Sequence, residues 1–314
     1  MSDEASSAGR LEQWVRSGAT IVAPATALSA LLFYFGYVSS RSQYEYFGID
    51  VDTVGLDTQD YVMRSPQPLL VPMLVLTLAG IGVLALLAQT RRWVAAAGPG
   101  AAEETAVTAR RAGHLRQLAL GCVTAGLALL GVGLVLLLVY AQVREWAYYP
   151  LVTPLLTGTG AALIAYGSQV RELLRRRSAP TPADDPTLLL RRSSRALVIV
   201  VVVVSVFWTT ATVAQWSGRG LAQQQALDLD RLPSVILDTK ERLYLRSPGI
   251  DENALELSEG QTFRYRYRNL RLLIHANDRM FLVPNRWSAS NSTLVVRMDD
   301  SVRVQFQFQN QRPG

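Results

Sequence analysis

The side chains that most often carry chemistry are ionisable, and in this 314-residue chain they avoid every long apolar run. Five such runs contain no Asp, Glu, Lys, Arg or His: 18–38, 68–89, 118–142, 148–169 and 196–216. Membrane enzymes and ion-coupled transporters place ionisable groups at that depth, where burying them is costly. The chain also lacks the motifs of serine hydrolases, zinc metalloproteases, P-loop proteins and dinucleotide-binding folds. We therefore expect no catalytic residues and no enzymatic activity.

Metal ligands and redox-active residues are equally scarce. The chain has two histidines, His114 and His275, and one cysteine, Cys122, which lies inside an apolar run. Neither a His/Cys zinc site nor an intramolecular disulfide can be built from this set. His275, at the end of a predicted strand, is better explained as a packed or exposed side chain than as a catalytic one, so an exported enzyme is the least favoured class. We expect no metal site and no cofactor.

An acidic segment follows the first apolar run. The residues 39–67, here called the acidic loop, include two arginines and five carboxylates. Asp57 is placed to cap a short helix that leads into the second run. The spacing of the aspartates does not fit an EF-hand, so a cation site is a less favoured alternative to a solvated or partner-facing surface. The partner-facing surface would consist of Tyr44, Tyr46, Asp50, Asp52, Asp57 and Asp60.

A second charged pattern lies near the other end of the chain, where aromatic and basic side chains alternate over 263–268. On a strand, this alternation places Arg264, Arg266 and Arg268 on one face. That face could contact phospholipid head groups or an anionic envelope polymer. A solvated face offset by nearby acidic residues is the simpler explanation, and we favour it.

The elements that hold these residues follow from composition. Apolar residues make up 49% of the chain and charged residues 18%, with a mean hydropathy of +0.16, which is typical of a membrane protein. Each of the five runs is long enough for a helix that crosses the bilayer. The net charge of +6 and the pI near 9.7 come largely from arginines between the runs, so membrane topology explains them without nucleic-acid binding.

The same arginines predict an orientation, because Lys and Arg are retained on the cytoplasmic side. The segments 1–17, 90–117 and 170–195 carry two, five and seven arginines, 14 altogether. The segments 39–67 and 143–147 carry only three. We therefore expect a cytoplasmic N-terminus over 1–17, a five-helix transmembrane domain over 18–216 and an exported C-terminus.

Small residues in the third and fourth runs predict how these helices pack. The spacings Gly121-x-x-x-Ala125 and Gly158-x-x-x-Ala162 allow a close approach between helices. Because the connection is short, we expect an antiparallel hairpin and favour packing within the chain over a dimer seam or a pore lining. Hydroxyl side chains in these runs could line a polar seam or bond to carbonyls of their own helix.

Beyond the fifth run the apolar period changes from that of a helix to that of a strand. We expect a stalk over 217–232 and then a small all-β domain over 233–314, with about seven short antiparallel strands that include 235–237 and 242–245. A sandwich or partly open barrel that folds without the membrane is the predicted architecture. The predicted inward-facing residues are Phe263, Tyr265, Tyr267, Leu272, Ile274, Phe281, Val283, Val295, Val304, Phe306 and Phe308.

Two stretches carry a resemblance to known proteins. They are YEYFGIDVDTVGLDTQDYVMRS at 44–65, and YRYRNLRLLIHANDRMFLVPNRW at 265–287 followed by DDSVRVQF at 299–306. Both are similar to segments of uncharacterised multi-pass membrane proteins of actinobacteria, and the preference for Arg, with Lys240 the only lysine, agrees with a high-GC genome. The resemblance implies membrane helices with a β-rich tail, and it implies no activity and no site residues.

Together these patterns predict a non-enzymatic plasma-membrane protein that presents an exported β-domain for interaction or sensing. An oligomeric channel, pore or small-solute permease is the alternative. The expected partners are the lipid bilayer and an unidentified membrane or envelope component, with a homo-oligomer as a further option and no nucleic acid.

Overall fold

The computed structural model describes residues 2–96, 106–178, 188–256, 258–288 and 290–307. Within these ranges the chain forms eight α-helices and six β-strands. The helices are α1 (Ser2–Tyr46), α2 (Val51–Val54), α3 (Thr58–Arg64), α4 (Pro66–Ala96), α5 (Ala106–Leu138), α6 (Tyr140–Val143), α7 (Tyr149–Ser178) and α8 (Leu188–Leu227). The strands are β1 (Ser234–Thr239), β2 (Asp251–Ala254), β3 (Tyr265–Ala276), β4 (Arg279–Pro284), β5 (Leu294–Arg297) and β6 (Val302–Gln307).

Five helices in the described ranges are long and apolar enough to cross a membrane. Their apolar parts are Val22–Tyr46, Pro66–Val94, Gly113–Leu138, Tyr149–Arg175 and Arg192–Leu227. The predicted fold class, helical membrane part plus small all-β region, is therefore confirmed. The fourth of these membrane-capable helices, α7, forms despite its prolines. Pro150 lies in its first turn, where the missing N–H has no helical partner to lose. Pro154 follows one turn later, inside the helix.

The last helix extends well past its apolar run. α8 contains 40 residues, and at 1.5 Å per residue it is about 60 Å long. This is about twice the thickness of the hydrocarbon core of a bilayer. A 3₁₀ turn at Leu229–Arg231 then leads into β1.

The chain divides into two compact units. One unit consists of Leu70–Val213, and the other combines the chain up to Leu69 with the chain from Ala214 onward. The second of these contains the acidic loop and all six strands.

In the unit Leu70–Val213, α5 and α7 form the predicted antiparallel hairpin, but at different small residues. A Cβ on Gly126 would lie 2.6 Å from the carbonyl oxygen of Gly160, and a Cβ on Gly133 would lie 2.5 Å from the side chain of Thr157. The approach is therefore closest where glycine faces the other helix. The predicted seam is corrected: Gly121, Ala125 and Ala162 are exposed, and Gly158 approaches Ser205 of α8 instead of α5.

Hydroxyl side chains in this unit bond to their own helices and also across helix pairs. The hydroxyl of Thr157 lies 3.1 Å from the Thr153 carbonyl oxygen and 3.1 Å from the Ser205 hydroxyl. Thr212 donates to the carbonyl oxygen of Pro150 at 3.0 Å. Because α8 residue numbers rise as α7 numbers fall along these contacts, the two helices are antiparallel. Both predicted alternatives are therefore observed: these hydroxyls bond to carbonyls of their own helix and also join neighbouring helices.

The strands form one antiparallel sheet with the order β5-β4-β3-β1-β6, and β2 pairs with the N-terminal half of β3. This single sheet replaces the predicted sandwich or barrel. The expected strand 242–245 is absent from the described sheet, because Tyr244 has a left-handed φ of 49° and the N–H of Leu243 is bound by the Tyr267 hydroxyl. The segment Asp251–Ala254 pairs with β3 instead.

The predicted inward set is split between the two faces of the sheet. A register shift between Leu272 and Ile274 moves Ile274 to the opposite face from Leu272. Phe306 is 58% exposed, so its predicted burial is wrong. It pairs with the buried Val235 but lies on the edge strand β6, where less of the core covers it. Phe308 lies outside the described residues.

Candidate interaction site at the acidic loop and the sheet

The acidic loop begins within α1, which continues to Tyr46, and then folds as the short helices α2 and α3, where Asp50 and Asp60 accept hydrogen bonds from backbone N–H groups. Asp50 accepts from the N–H of Asp52 at the start of α2, at 3.2 Å. Asp57 is the N-cap of α3, as predicted, and its own N–H donates to the side chain of Asp60 at 3.0 Å. A carboxylate at a helix N-terminus also interacts favourably with the helix dipole. All four aspartates are exposed, and Asp50 and Asp60 also stabilise the loop itself through these backbone hydrogen bonds.

The tyrosines of the loop are placed differently from the aspartates. Tyr44 is only 2% exposed, and its hydroxyl accepts a hydrogen bond of 2.7 Å from Arg64. Tyr46 is half-buried against the ring of Phe47. Of the predicted partner-facing residues, the four aspartates are therefore accessible, Tyr46 is partly accessible, and Tyr44 is part of the core.

The loop packs against the sheet of the same chain. The ring of Phe47 contacts the ring of Trp287 edge-on, with centroids 5.0 Å apart. The backbone carbonyl of Phe47 accepts a hydrogen bond of 2.7 Å from the Thr293 hydroxyl. The Asn277 amide donates to the carbonyl of Gly55 at 2.6 Å. These contacts join a segment near the start of the chain to strand connections near its end.

Glycine is required at the last of these contacts. Gly55 ends α2 with a left-handed φ of 74°, which an L-residue rarely adopts. A Cβ there would also lie 2.2 Å from the amide nitrogen of Asn277. The turn and the hydrogen bond are therefore compatible only with the absence of a side chain.

A shared hydrophobic core lies beneath these hydrogen bonds. On the sheet side, β4 contributes Phe281 and Val283, both fully buried. On the helix side, α8 contributes Ala222. Leu229, just after α8, is also a member, and the acidic loop contributes six side chains. They are Tyr44, Phe47, Ile49, Val51, Val54 and Tyr61.

Tyr61 is 5% exposed in this core and packs against two further aromatic rings. Its ring contacts those of Phe33 and Tyr37 at centroid distances of 5.5 and 5.4 Å. Burial, with a smaller contribution from the negative charge of Asp52, raises the pKa of Tyr61 to about 12. The phenol is thus neutral at physiological pH, which suits a packing role.

Of the three arginines predicted to share one strand face, Arg266 is already paired with a carboxylate. Arg266 forms two hydrogen bonds to Asp238, at 2.8 and 3.0 Å, and Arg303 approaches the same carboxylate at 2.6 Å. Asp238 is fully buried. Burial alone would raise the pKa of Asp238, but the hydrogen bonds from the two arginines outweigh it and lower the pKa. Arg264 and Arg268 are exposed and remain available as a basic surface.

Two residues of this unit were not predicted from the sequence: Asp238, at the centre of a charge cluster, and Trp287, the aromatic partner of the loop. A carboxylate directly after the apolar stretch Val235–Leu237 was the available signal for Asp238. It indicates a buried acid that needs a basic partner. Nothing local to Trp287 indicates a contact with a residue about 240 positions earlier.

The described residues include no group of three or more His, Cys, Asp or Glu side chains that could hold a metal ion. No protein-family model, curated protein sequence or solved structure matches this chain.

Proposed function

We propose that this chain is a multi-pass plasma-membrane protein, without enzymatic activity, whose exported loop-sheet unit serves interaction or sensing. The loop-sheet unit is defined as the acidic loop, the C-terminal ends of α1 and α8, and strands β1–β6. The observation that carries the proposal is that the acidic loop, the end of α8 and strand β4 share one hydrophobic core. The exported surface is thereby fixed to two membrane-capable helices instead of hanging from a flexible linker.

The orientation of the helices supports the proposed topology. Ser39 of α1 approaches Gly218 of α8, and Gln43 donates to Gln225 at 2.8 Å. Residue numbers rise together along both helices, so α1 and α8 run in the same direction. The first and fifth of five successive crossings must do so. With the N-terminus cytoplasmic, as the arginine distribution predicts, the loop-sheet unit lies outside the cytoplasm.

Close backbone contacts make the connection to the helices stiff. A Cβ on Gly36 would lie 1.9 Å from the carbonyl oxygen of Tyr61, and one on Gly218 would lie 2.0 Å from that of Ser39. Packed interfaces of this kind respond to a displacement by moving as bodies rather than by deforming. A partner that shifts the sheet would therefore shift the ends of α1 and α8 with it, which is the physical basis for the sensing function.

The edge strand β6 is the surface best suited to a partner. Among the described residues, no strand pairs with its outer edge. It has six residues without Pro or Gly, alternates apolar and polar side chains, and exposes Phe306. An open edge of this length is a template for an added strand, because its backbone N–H and C=O groups need partners. We propose that an extended segment of a membrane or envelope protein binds there.

Photo-crosslinking in native membranes tests this proposal on the full-length chain. A benzophenone side chain at Phe306 should capture a discrete protein, whereas the same group at Tyr244, which is exposed on the same unit but outside any strand, should not. Phe306→Lys, which places a charge on the edge, should abolish the crosslink from a neighbouring position such as Gln305. Equal capture from Tyr244, or capture that survives Phe306→Lys, would contradict the edge as the binding site.

A topology reporter tests the orientation separately. A phosphatase that is active only outside the cytoplasm should be active when fused after Leu232. It should be silent when fused within 97–107 or 179–186. Activity at either of the two internal positions would invert the proposed orientation.

A further inference from the structure

A cleft of about 710 Å³ lies between α7 and α8, in the unit Leu70–Val213. The two helices approach each other at Gly158 and Ser205, and Thr212 binds the Pro150 carbonyl. The cleft lies toward the other end of the pair, near the C-terminus of α7 and the N-terminus of α8. Its volume is within the range of sites that hold small molecules.

The cleft has an apolar part and a basic part. Ile164, Val198 and Ile199 line the apolar part, while Arg171 and Arg195 contribute to the basic part. Arg175 and Glu172 also line it, with an ion pair of 3.4 Å between them. Among the described residues, Arg171 and Arg195 have no ion pair. The lining thus has a net positive charge.

The arrangement follows the depth of a membrane lipid. Arg171 lies two residues beyond the apolar run 148–169, and Arg195 directly precedes the run 196–216. From Ile164 to Arg171 the rise along α7 is about 10 Å, and from Arg195 to Ile199 along α8 about 6 Å. The apolar wall therefore lies at the depth of acyl chains, and the guanidinium groups lie at the depth of phosphates.

We infer that this arginine cleft binds an anionic phospholipid, with its phosphate between Arg171 and Arg195 and an acyl chain along Val198 and Ile199. Basic pockets between membrane helices bind anionic head groups, and arginine matches phosphate geometry with paired donors. A soluble phosphate would use only the basic part and leave the apolar wall in contact with its surroundings. The inference is independent of the function proposed for the loop-sheet unit, and it holds for either orientation in the membrane.

The test compares lipid retention by the full-length chain purified in a neutral detergent, measured by native mass spectrometry after incubation with mixed micelles. Phosphatidylglycerol should be retained in preference to phosphatidylcholine. Each arginine near an anionic surface contributes about fivefold, so Arg171→Gln with Arg195→Gln should weaken retention about 25-fold. The matched control is Arg91→Gln with Arg92→Gln, which removes two exposed arginines at the end of α4 and should leave retention unchanged.

Two further experiments distinguish a bound phospholipid from a bound soluble phosphate. Val198→Trp fills the apolar wall without a change of charge and should also reduce retention, which covers the case in which the double arginine variant does not insert. Glycerol phosphate, the head group without acyl chains, should not compete. Competition by glycerol phosphate at equal concentration, equal retention of phosphatidylcholine, or equal losses in the control pair would each overturn the inference.

Discussion

Replacing Phe47 with alanine is the most direct test of whether the acidic loop and the sheet are one folding unit. Phe47 is 1% exposed and contacts Trp287 across the interface between loop and sheet. Truncation of a buried phenylalanine costs on the order of 3–5 kcal/mol. Part of that cost, about 0.5–1.5 kcal/mol, belongs to the pair of rings and should appear as a coupling energy in a double-mutant cycle with Trp287→Ala.

The matched control is Phe306→Ala in the same unit. Phe306 is 58% exposed, so the substitution removes less than half of a buried ring. Full burial of such a side chain stabilises by about 1.5–3 kcal/mol, and the control should therefore cost about 1 kcal/mol or less.

Both variants are measured on the full-length chain in detergent by thermal unfolding, followed by proteolysis of the loop-sheet unit. For a unit of this size, the Phe47→Ala cost corresponds to a midpoint lower by on the order of 10 °C. In the Phe47→Ala variant, the strands of the loop-sheet unit should become susceptible to proteolysis together with the acidic loop. A loop that becomes susceptible while the strands stay protected, or equal costs for the two phenylalanines, would refute the shared core.

Three other predictions follow from the same unit. Gly218→Ala should separate α8 from Ser39 of α1 and lower the unfolding midpoint, whereas Gly220→Ala, which meets no atom within 4 Å, should be neutral or stabilising by up to about 1 kcal/mol; thermal unfolding in detergent compares them. Because the folded pKa of Asp238 is lowered, its contribution to stability is present above the unfolded pKa of about 3.9 and is lost as the pH falls through the folded value. Asp238→Asn should therefore lower the midpoint at pH 7 and differ little from the parent in strong acid, and no such convergence would contradict the ion pairs. The isolated fragment 233–314 should lack a cooperative transition by circular dichroism, in contrast to the independent domain expected from sequence, and a sharp transition would show that the loop is dispensable.

The helices were predictable because their signal is local. An apolar run of about 20 residues without charge has few alternative structures, and the arginines at its ends mark its limits. Asp57 as the N-cap of α3 was predictable for the same reason, since the capping residue precedes its helix directly. The predicted helix contacts were less accurate. Glycine spacing alone does not show which side of a helix faces a neighbour, and Gly126 and Gly160 were the residues in contact.

The architecture of the sheet was harder to predict because its cover comes from distant parts of the chain. Alternation correctly indicated strands, but one register shift near Leu272 reversed the side of Ile274. A sandwich or partly open barrel was expected from about seven short antiparallel strands, because either architecture covers the apolar face of a sheet. The acidic loop and the helix ends instead provide that cover over Phe281 and Val283. No pattern within the strands themselves indicates which segment covers them.

The acidic loop and the sheet that it contacts are far apart in the sequence, which constrains the order in which this core can form. The hydrogen bond between Thr293 and Phe47 joins residues 246 positions apart, and that between Asn277 and Gly55 joins residues 222 apart. All five membrane-capable helices begin before the strands that complete this core. The apolar side chains of the loop therefore cannot be covered until α8 is in place and parallel to α1. In the proposed five-crossing topology, loss of any one crossing between them would put the loop and the sheet on opposite sides of the membrane and would prevent this core from forming.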